Sequence, residues 1–180
     1  MFRSLSVALA LVLTPTPAPS APPGATGAVE DLVLPVEDII GEVESMDGTE
    51  SETKQGRQVT VAVTSDVLFA LDKWRLTAKA RQRLAKVAEK VDAEGAGGVV
   101  KIEGHTDDQG TDSYNVTLSQ RRAQAVQAVM RGLLTGSGVT LESHGYGESR
   151  PKLPNIIEGK PVEKNRAKNR RVEIVFTAKQ

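Results

Sequence analysis

One stretch of the chain, residues 104–126 (GHTDDQGTDSYNVTLSQRRAQAV), constrains the fold more than any other. It follows a short apolar run at residues 99–102, which predicts a buried strand. A polar loop with glycine comes next, and a helix is predicted after it from apolar residues at Leu118, Val126, Val129, Met130 and Leu133. A strand, a loop and a helix in this order present side chains at the rim of a sheet, where α/β proteins place their ligand sites.

The flanking segments predict two helices packed on one face of a mixed sheet. Thr77 is a candidate N-cap for a first helix over residues 78–93, and the second helix covers residues 113–134. The apolar face of the first helix consists of Leu84, Val87, Ala88 and Val91. Alternating apolar residues predict strands at residues 58–64, 139–143 and 172–176. The predicted order is β(β)αβαββ, an α/β two-layer sandwich in which strands joined through a helix run parallel.

The chain begins with features of an export signal. Arg3 supplies a positive charge, residues 5–13 form an apolar stretch, and residues 14–27 are rich in proline and small residues. The alternative is an N-terminal tail without fixed structure. Nine residues are too few to span a bilayer as a helix, which takes roughly 20. We expect cleavage after Ala21 or Ala28, and an exported mature protein without a transmembrane segment.

The composition divides the chain into three regions. These are a signal peptide with the start of a Pro/Ala-rich spacer (residues 1–28), an acidic region (29–64) and a folded domain (65–180). In the acidic region, Asp47 and Gly48 form a turn signal, which predicts a hairpin between residues 38–45 and 58–64. Residues 151–168 are rich in proline and lysine, which predicts a polar loop outside the core.

The overall composition excludes several classes of function. Lys and Arg together number 23, as do Asp and Glu, so the formal net charge is zero and gives no reason to expect nucleic acid as a partner. Aromatic residues make up 3% of the chain, which argues against a platform for stacking sugars or bases. Cysteine is absent, so disulfides, thiolate chemistry and an acylated cysteine are excluded for this sequence.

Several motifs in a fixed order resemble those of the OmpA-like peptidoglycan-binding domain. They are GHTDDQG (104–110), Asn115, LSQRRA (118–123), GYG (145–147) and NRRV (169–172). The resemblance covers residues 65–176, although Ala70 stands where the opening FxFD motif of the family usually has aspartate or a similar polar residue. It implies a non-catalytic protein of the periplasm or cell wall that binds the diaminopimelate residue of the peptidoglycan stem peptide without a covalent bond.

The resemblance also implies that Asp107 and Arg122 are the paired binding residues. Diaminopimelate ends in an ammonium and a carboxylate on one carbon. A carboxylate such as Asp107 accepts from the ammonium, and Arg122 offers a planar fork to the carboxylate, which lysine lacks. We expect both side chains at the rim of the sheet. Further candidates, which shape the pocket, orient the loop or add backbone N–H groups, are Thr106, Asn115, Leu118 and residues 69–72.

An enzyme is the alternative class, and an interaction module for other envelope proteins is a third. His105, Asp107 and His144 are the residues from which a metal-dependent hydrolase would have to be built. No HExxH motif or similar spacing supports this, so the sequence assigns no catalytic residue, metal or cofactor. Arg121 is interpreted as a solvated neighbour of the site, and residues 169–171 are interpreted as a structural link between loop and sheet.

Overall fold

The computed structural model describes residues 40–70 and 73–180. The predicted signal peptide and spacer lie outside these residues, as do Leu71 and Asp72 of the FxFD-like segment. The strands are β1 (Gly41–Glu44), β2 (Glu50–Gln55), β3 (Gln58–Thr64), β4 (Gly98–Gly104), β5 (Val139–Gly145), β6 (Ile156–Ile157), β7 (Lys160–Pro161) and β8 (Arg171–Thr177). The helices are α1 (Ser65–Leu68), α2 (Ala78–Glu94), α3 (Asp112–Leu133) and α4 (Glu163–Asn169).

Six of the strands form one sheet, in the order β1-β2-β3-β8-β4-β5. Strands β4 and β5 are parallel, as predicted for strands joined through a helix, and the other neighbours are antiparallel. The short strands β6 and β7 pair with each other in a separate hairpin. The predicted mixed α/β sheet is therefore confirmed, and its last strand lies in the interior of the sheet between β3 and β4.

The core lies between the sheet and the two long helices. Ile174 of β8 pairs with Val61 of β3 and with Ile102 of β4. Alternate residues of these three strands therefore point to the same face of the sheet. The predicted apolar face of α2 is buried in this core, and Thr77 caps the helix by accepting a hydrogen bond from Ala80 N at 3.0 Å. None of the helices within the described residues combines the length and apolar character that a membrane crossing requires.

Three predictions about local structure are wrong. The predicted hairpin between residues 38–45 and 58–64 does not form directly, because a further strand, β2, lies between β1 and β3 and pairs with both. The sequence of β2, ESETKQ, lacks the apolar alternation that would have indicated a strand. The polar loop at 151–168 contains β6, β7 and most of α4. Leu133, predicted on the apolar face of α3, is 45% exposed, and Leu134 is buried in its place.

Helix α3 lies unusually close to the carboxyl ends of β4 and β5. Gly104 and Gly145 are neighbours in the parallel ladder. A Cβ atom at Gly104 would lie 2.2 Å from the backbone oxygen of Ser119, and one at Gly145 would lie 2.2 Å from the backbone nitrogen of Gln120. Such short distances require the backbone to move, so both positions depend on glycine for close packing.

We predict that Gly104→Ala and Gly145→Ala each lower the free energy of unfolding by about 1–3 kcal/mol or more, because overpacking displaces α3. Gly132→Ala is the matched control, because Gly132 lies in α3 itself and nothing lies within 4 Å of an added Cβ at this position. The control should gain up to about 1 kcal/mol from helix propensity. Urea unfolding followed by circular dichroism measures all three, and equal stability of the three variants would contradict the packing argument.

Candidate functional site

A pocket lies between the loop that follows β4 and the N-terminal half of α3. All five residues predicted from the sequence line it: Thr106, Asp107, Asn115, Leu118 and Arg122. The structure therefore brings the candidate set together in one place. The remaining lining residues are Ser65, Asp66, Ala70, Gln109, Tyr114 and Arg170.

Asp107 is held by two hydrogen bonds. Its Oδ1 accepts from the backbone N–H of Gln109 at 3.1 Å, and its Oδ2 accepts from Nη1 of Arg170 at 2.7 Å. The residue is 5% exposed, so this carboxylate lies at the rim of the sheet but is enclosed rather than bathed in solvent. A carboxylate that is fixed and shielded in this way interacts more strongly with a nearby cation than one in bulk water.

Arg122 is held on the α3 side of the pocket. Its Nε donates to the backbone oxygen of Lys73 at 3.1 Å, and its Cζ lies 5.4 Å from the centre of the Phe69 ring. The residue is 5% exposed. Because Asn115, Leu118 and Arg122 are spaced by three and four residues, they share one face of α3. The helix thus presents a guanidinium with a fixed plane beside polar and apolar neighbours.

Asn115 links this helix to the loop that carries Asp107. Its Nδ2 donates to the backbone oxygen of Asp107 at 3.4 Å and to Oε2 of Glu148 at 2.6 Å. The loop is also tied to the end of β5, because Thr106 N donates to the backbone oxygen of Gly147 at 2.9 Å. These bonds hold the loop in place from both sides.

Arg170 is a pocket residue that sequence reasoning missed. Besides Asp107, it donates to Glu163 at 3.0 Å and to Asp66 at 3.2 Å. Burial lowers the pKa of Arg170, but the hydrogen bonds to these carboxylates outweigh that effect and the pKa is raised, so the guanidinium remains charged. Three carboxylates around one guanidinium leave this cluster with a net negative charge.

The strand order explains why Arg170 was missed. Ser65 and Asp66 follow β3, Arg170 precedes β8, and the two strands are antiparallel neighbours with Thr64 opposite Arg171. The interpretation of residues 169–171 as a structural link is confirmed for Asn169, whose Oδ1 accepts from Lys152 N and Leu153 N. For Arg170 it is incomplete, because the side chain also lines the pocket.

Three polar atoms of the pocket lining have no hydrogen-bond partner within the part of the chain that the structure describes. Within the described residues, Ser65 Oγ, Thr106 Oγ1 and Arg170 Nε are buried without a hydrogen-bond partner. Buried polar atoms are paired in the great majority of cases, and exceptions call for an explanation. Their concentration around one pocket gives it hydrogen-bonding capacity for a polar ligand.

The residues of the alternative hydrolase do not form one site. His105 stacks on Tyr146 with ring centroids 5.4 Å apart, and its Nε2 lies 3.8 Å from Oε2 of Glu173. Asp107 is not part of this group, because it pairs with Arg170. His144 is exposed and packs against Tyr146. Arg121 is exposed, as expected, and its Cζ lies 4.6 Å from the centre of the Trp74 ring.

Comparison with curated proteins gives relatives over most of the described chain. The chain is 36% identical over 132 residues to the peptidoglycan-associated lipoprotein of Pseudomonas aeruginosa, covering 72% of this chain and 70% of that protein. It is 36% identical over 118 residues to the outer-membrane lipoprotein YfiB of the same organism, covering 64% and 65%. The identity to outer membrane porin F of that organism is 37% over 113 residues, covering 63% of this chain and 31% of the porin. The chain thus spans less than two thirds of the length of the latter two relatives.

Solved structures share the fold. The cell wall anchor of the T6SS from Pseudomonas aeruginosa matches with a TM-score of 0.58 and 26% identity, covering 73% of this chain and 89% of the anchor. The periplasmic domain of Helicobacter pylori MotB matches with a TM-score of 0.59, but at 21% identity it supports the fold alone; the match covers 77% of this chain and 88% of that domain.

The family model of the OmpA family matches residues 68–170, which include the whole candidate pocket apart from Ser65 and Asp66. The chain belongs to the OmpA family.

Proposed function

We propose that this protein binds peptidoglycan non-covalently through the diaminopimelate residue of the stem peptide and has no catalytic role. The observation that carries the proposal is the presence of a fixed carboxylate, Asp107, and a fixed guanidinium, Arg122, in one pocket of an OmpA-family domain. The free end of diaminopimelate carries one ammonium, which complements Asp107, and one carboxylate, which complements Arg122.

The charge distribution supports a defined orientation of this ligand. The ammonium binds at Asp107, where the surrounding carboxylates Asp66 and Glu163 add negative charge. The ligand carboxylate binds at Arg122, whose planar guanidinium suits a bidentate contact. The hydroxyl groups of Ser65 and Thr106, buried without partners in the described structure, are available for further hydrogen bonds.

The relatives support this function and its location. The names of two of them place these proteins at the outer membrane, the name of the third describes it as peptidoglycan-associated, and a solved structure of the same fold is a cell wall anchor. A protein that binds peptidoglycan has to lie outside the cytoplasmic membrane. We therefore infer that the chain is exported to the periplasm or cell wall, in agreement with its signal-like N-terminus.

We predict that Asp107→Asn and Arg122→Met abolish binding to purified sacculi. Each leaves one charge of the bound ligand unpaired in a shielded pocket, which costs about 2–5 kcal/mol. Asp112→Asn and Arg121→Met are matched controls, because both residues are exposed on α3 and do not line the pocket. Pull-down with sacculi measures binding, and circular dichroism verifies that each variant is folded. Undiminished binding by either folded pocket variant would show that the site lies elsewhere.

We predict that stem peptides with diaminopimelate bind more tightly than those with lysine, by roughly ten- to a hundredfold. Both side chains end in an ammonium, so Asp107 alone cannot distinguish them. Only diaminopimelate has the carboxylate that Arg122 binds, and the loss of a charge-assisted hydrogen bond is worth roughly 1.5–3 kcal/mol. Calorimetry with matched soluble muropeptides measures the ratio, which should shrink in Arg122→Met. Equal affinities of the wild-type protein for both peptides would rule out recognition of the zwitterion.

We predict that Arg170→Met destabilises the domain by about 1–3 kcal/mol, because the buried Asp107 carboxylate loses a hydrogen-bond donor. The loss should be smaller when Asp107→Asn is already present, which a double-mutant cycle in urea detects. Arg121→Met, a change of the same chemistry at an exposed position, should stay within about 0.5 kcal/mol of the wild type. If Arg170→Met were as stable as Arg121→Met, Arg170 would have no part in holding Asp107.

A further inference from the structure

The face of the sheet opposite the helices carries a group of ionisable side chains that peptidoglycan binding does not use. Glu103 and Glu173 lie directly opposite each other on β4 and β8. His105 follows Glu103 by two residues, so the strand alternation directs it to the same side. One potential ligand atom from each of the three residues lies within 4.8 Å of the other two.

His105 is the buried member of this group. It is 2% exposed, and neither ring nitrogen has a hydrogen-bond partner among the described residues. The distance of 3.8 Å from Nε2 to Glu173 Oε2 is too long for a hydrogen bond. A buried polar group without a partner is unfavourable, and a bound cation would supply one.

Among the described residues, each of the two carboxylates accepts a hydrogen bond at one of its oxygens. Glu103 Oε1 accepts from the hydroxyl of Tyr146 at 3.4 Å, and Glu173 Oε1 accepts from Nε of Arg171 at 2.6 Å. Carboxylates that bind metals are commonly oriented in this way by neighbouring donors. Like charges directly opposite each other on adjacent strands are destabilising, and a cation between Glu103 and Glu173 would remove that repulsion.

We propose that Glu103, His105 and Glu173 bind a divalent transition-metal ion, with Zn²⁺ as the best match, and that the ion joins β4 to β8. One imidazole nitrogen and two carboxylate oxygens are ligands that Zn²⁺ accepts, with water in the fourth position. Zinc ligands in a tetrahedral site lie about 3.3–3.5 Å apart, so small rotations of the two glutamate side chains close the site. Arg171 offsets part of the negative charge, so the affinity is below that of a cysteine-rich structural zinc site.

The test is calorimetric titration of ZnCl₂ into the untagged full chain after treatment with EDTA. The wild-type protein should bind one equivalent, and zinc should raise its unfolding temperature because it binds the folded state. Glu103→Gln and Glu173→Gln, which preserve size, should each weaken binding about tenfold or more and abolish the rise in unfolding temperature. Cobalt(II) should give visible absorption of a four-coordinate site in the wild-type protein and lose it in both variants.

Two controls separate this site from the rest of the surface. His144→Gln removes an exposed histidine that lies opposite Glu103 on β5 but does not belong to the group of three, and it should leave zinc binding unchanged. Asp107→Asn in the peptidoglycan pocket should also leave it unchanged. Sacculus binding by Glu103→Gln should equal that of the wild type, so failure of one proposal leaves the other standing. The proposal is overturned if the wild-type chain takes up no zinc, if both glutamine variants bind it like the wild type, or if His144→Gln abolishes binding.

Discussion

The close contact between helix α3 and the ends of β4 and β5 determines the geometry of the pocket. Gly104 and Gly145 allow the backbone of Ser119 and Gln120 to approach the sheet, and Ser119 Oγ then accepts from the backbone N–H of Gly147 at 2.9 Å. Gly147 in turn accepts from Thr106 N, which begins the loop of Asp107. A side chain at either glycine would move the helix away from the sheet. Gly104 precedes Asp107 by three residues, and Ser119 precedes Arg122 by three residues. The close packing of Gly104 against Ser119 therefore sets the position of Asp107 relative to Arg122.

Much of this arrangement could be predicted from the sequence because the information is local. Period-two alternation identified β3, β5 and β8, and helical spacing with a threonine cap identified α2. Strand β2 escaped prediction because its ESETKQ sequence pairs at the periphery of the sheet, where no apolar face is demanded. The segment 151–168 was not predicted because β6 and β7 are short and exposed and α4 has only seven residues. The segment is held by side-chain hydrogen bonds such as those of Asn169.

The same distinction applies to the pocket. Asp107 and Arg122 lie within one strand–loop–helix unit, so their proximity follows from a contiguous stretch of sequence. Ser65 and Arg170 are brought there by the pairing of β3 with β8, and the hydrogen bond from Ser65 N to the backbone oxygen of Arg170, 2.7 Å long, depends on that pairing. No local pattern encodes a strand order in which the last strand inserts between two earlier ones. From the sequence alone, Arg170 is therefore expected only to hold the loop to the sheet.

Side chains that follow the end of β4 point into two different surroundings, because the alternation of the strand stops there. His105 still follows the alternation and lies with Glu103 on the face opposite the helices, whereas Asp107 is already in the loop and turns into the pocket. Within the described residues, all five buried side-chain atoms that lack a hydrogen-bond partner belong to these two places: three to residues of the pocket and two to His105. Buried polar atoms are paired in the great majority of cases, so each exception calls for an explanation. The proposed zwitterion in the pocket and the proposed cation between the strands would each supply partners to the atoms on its own side of the β4 end.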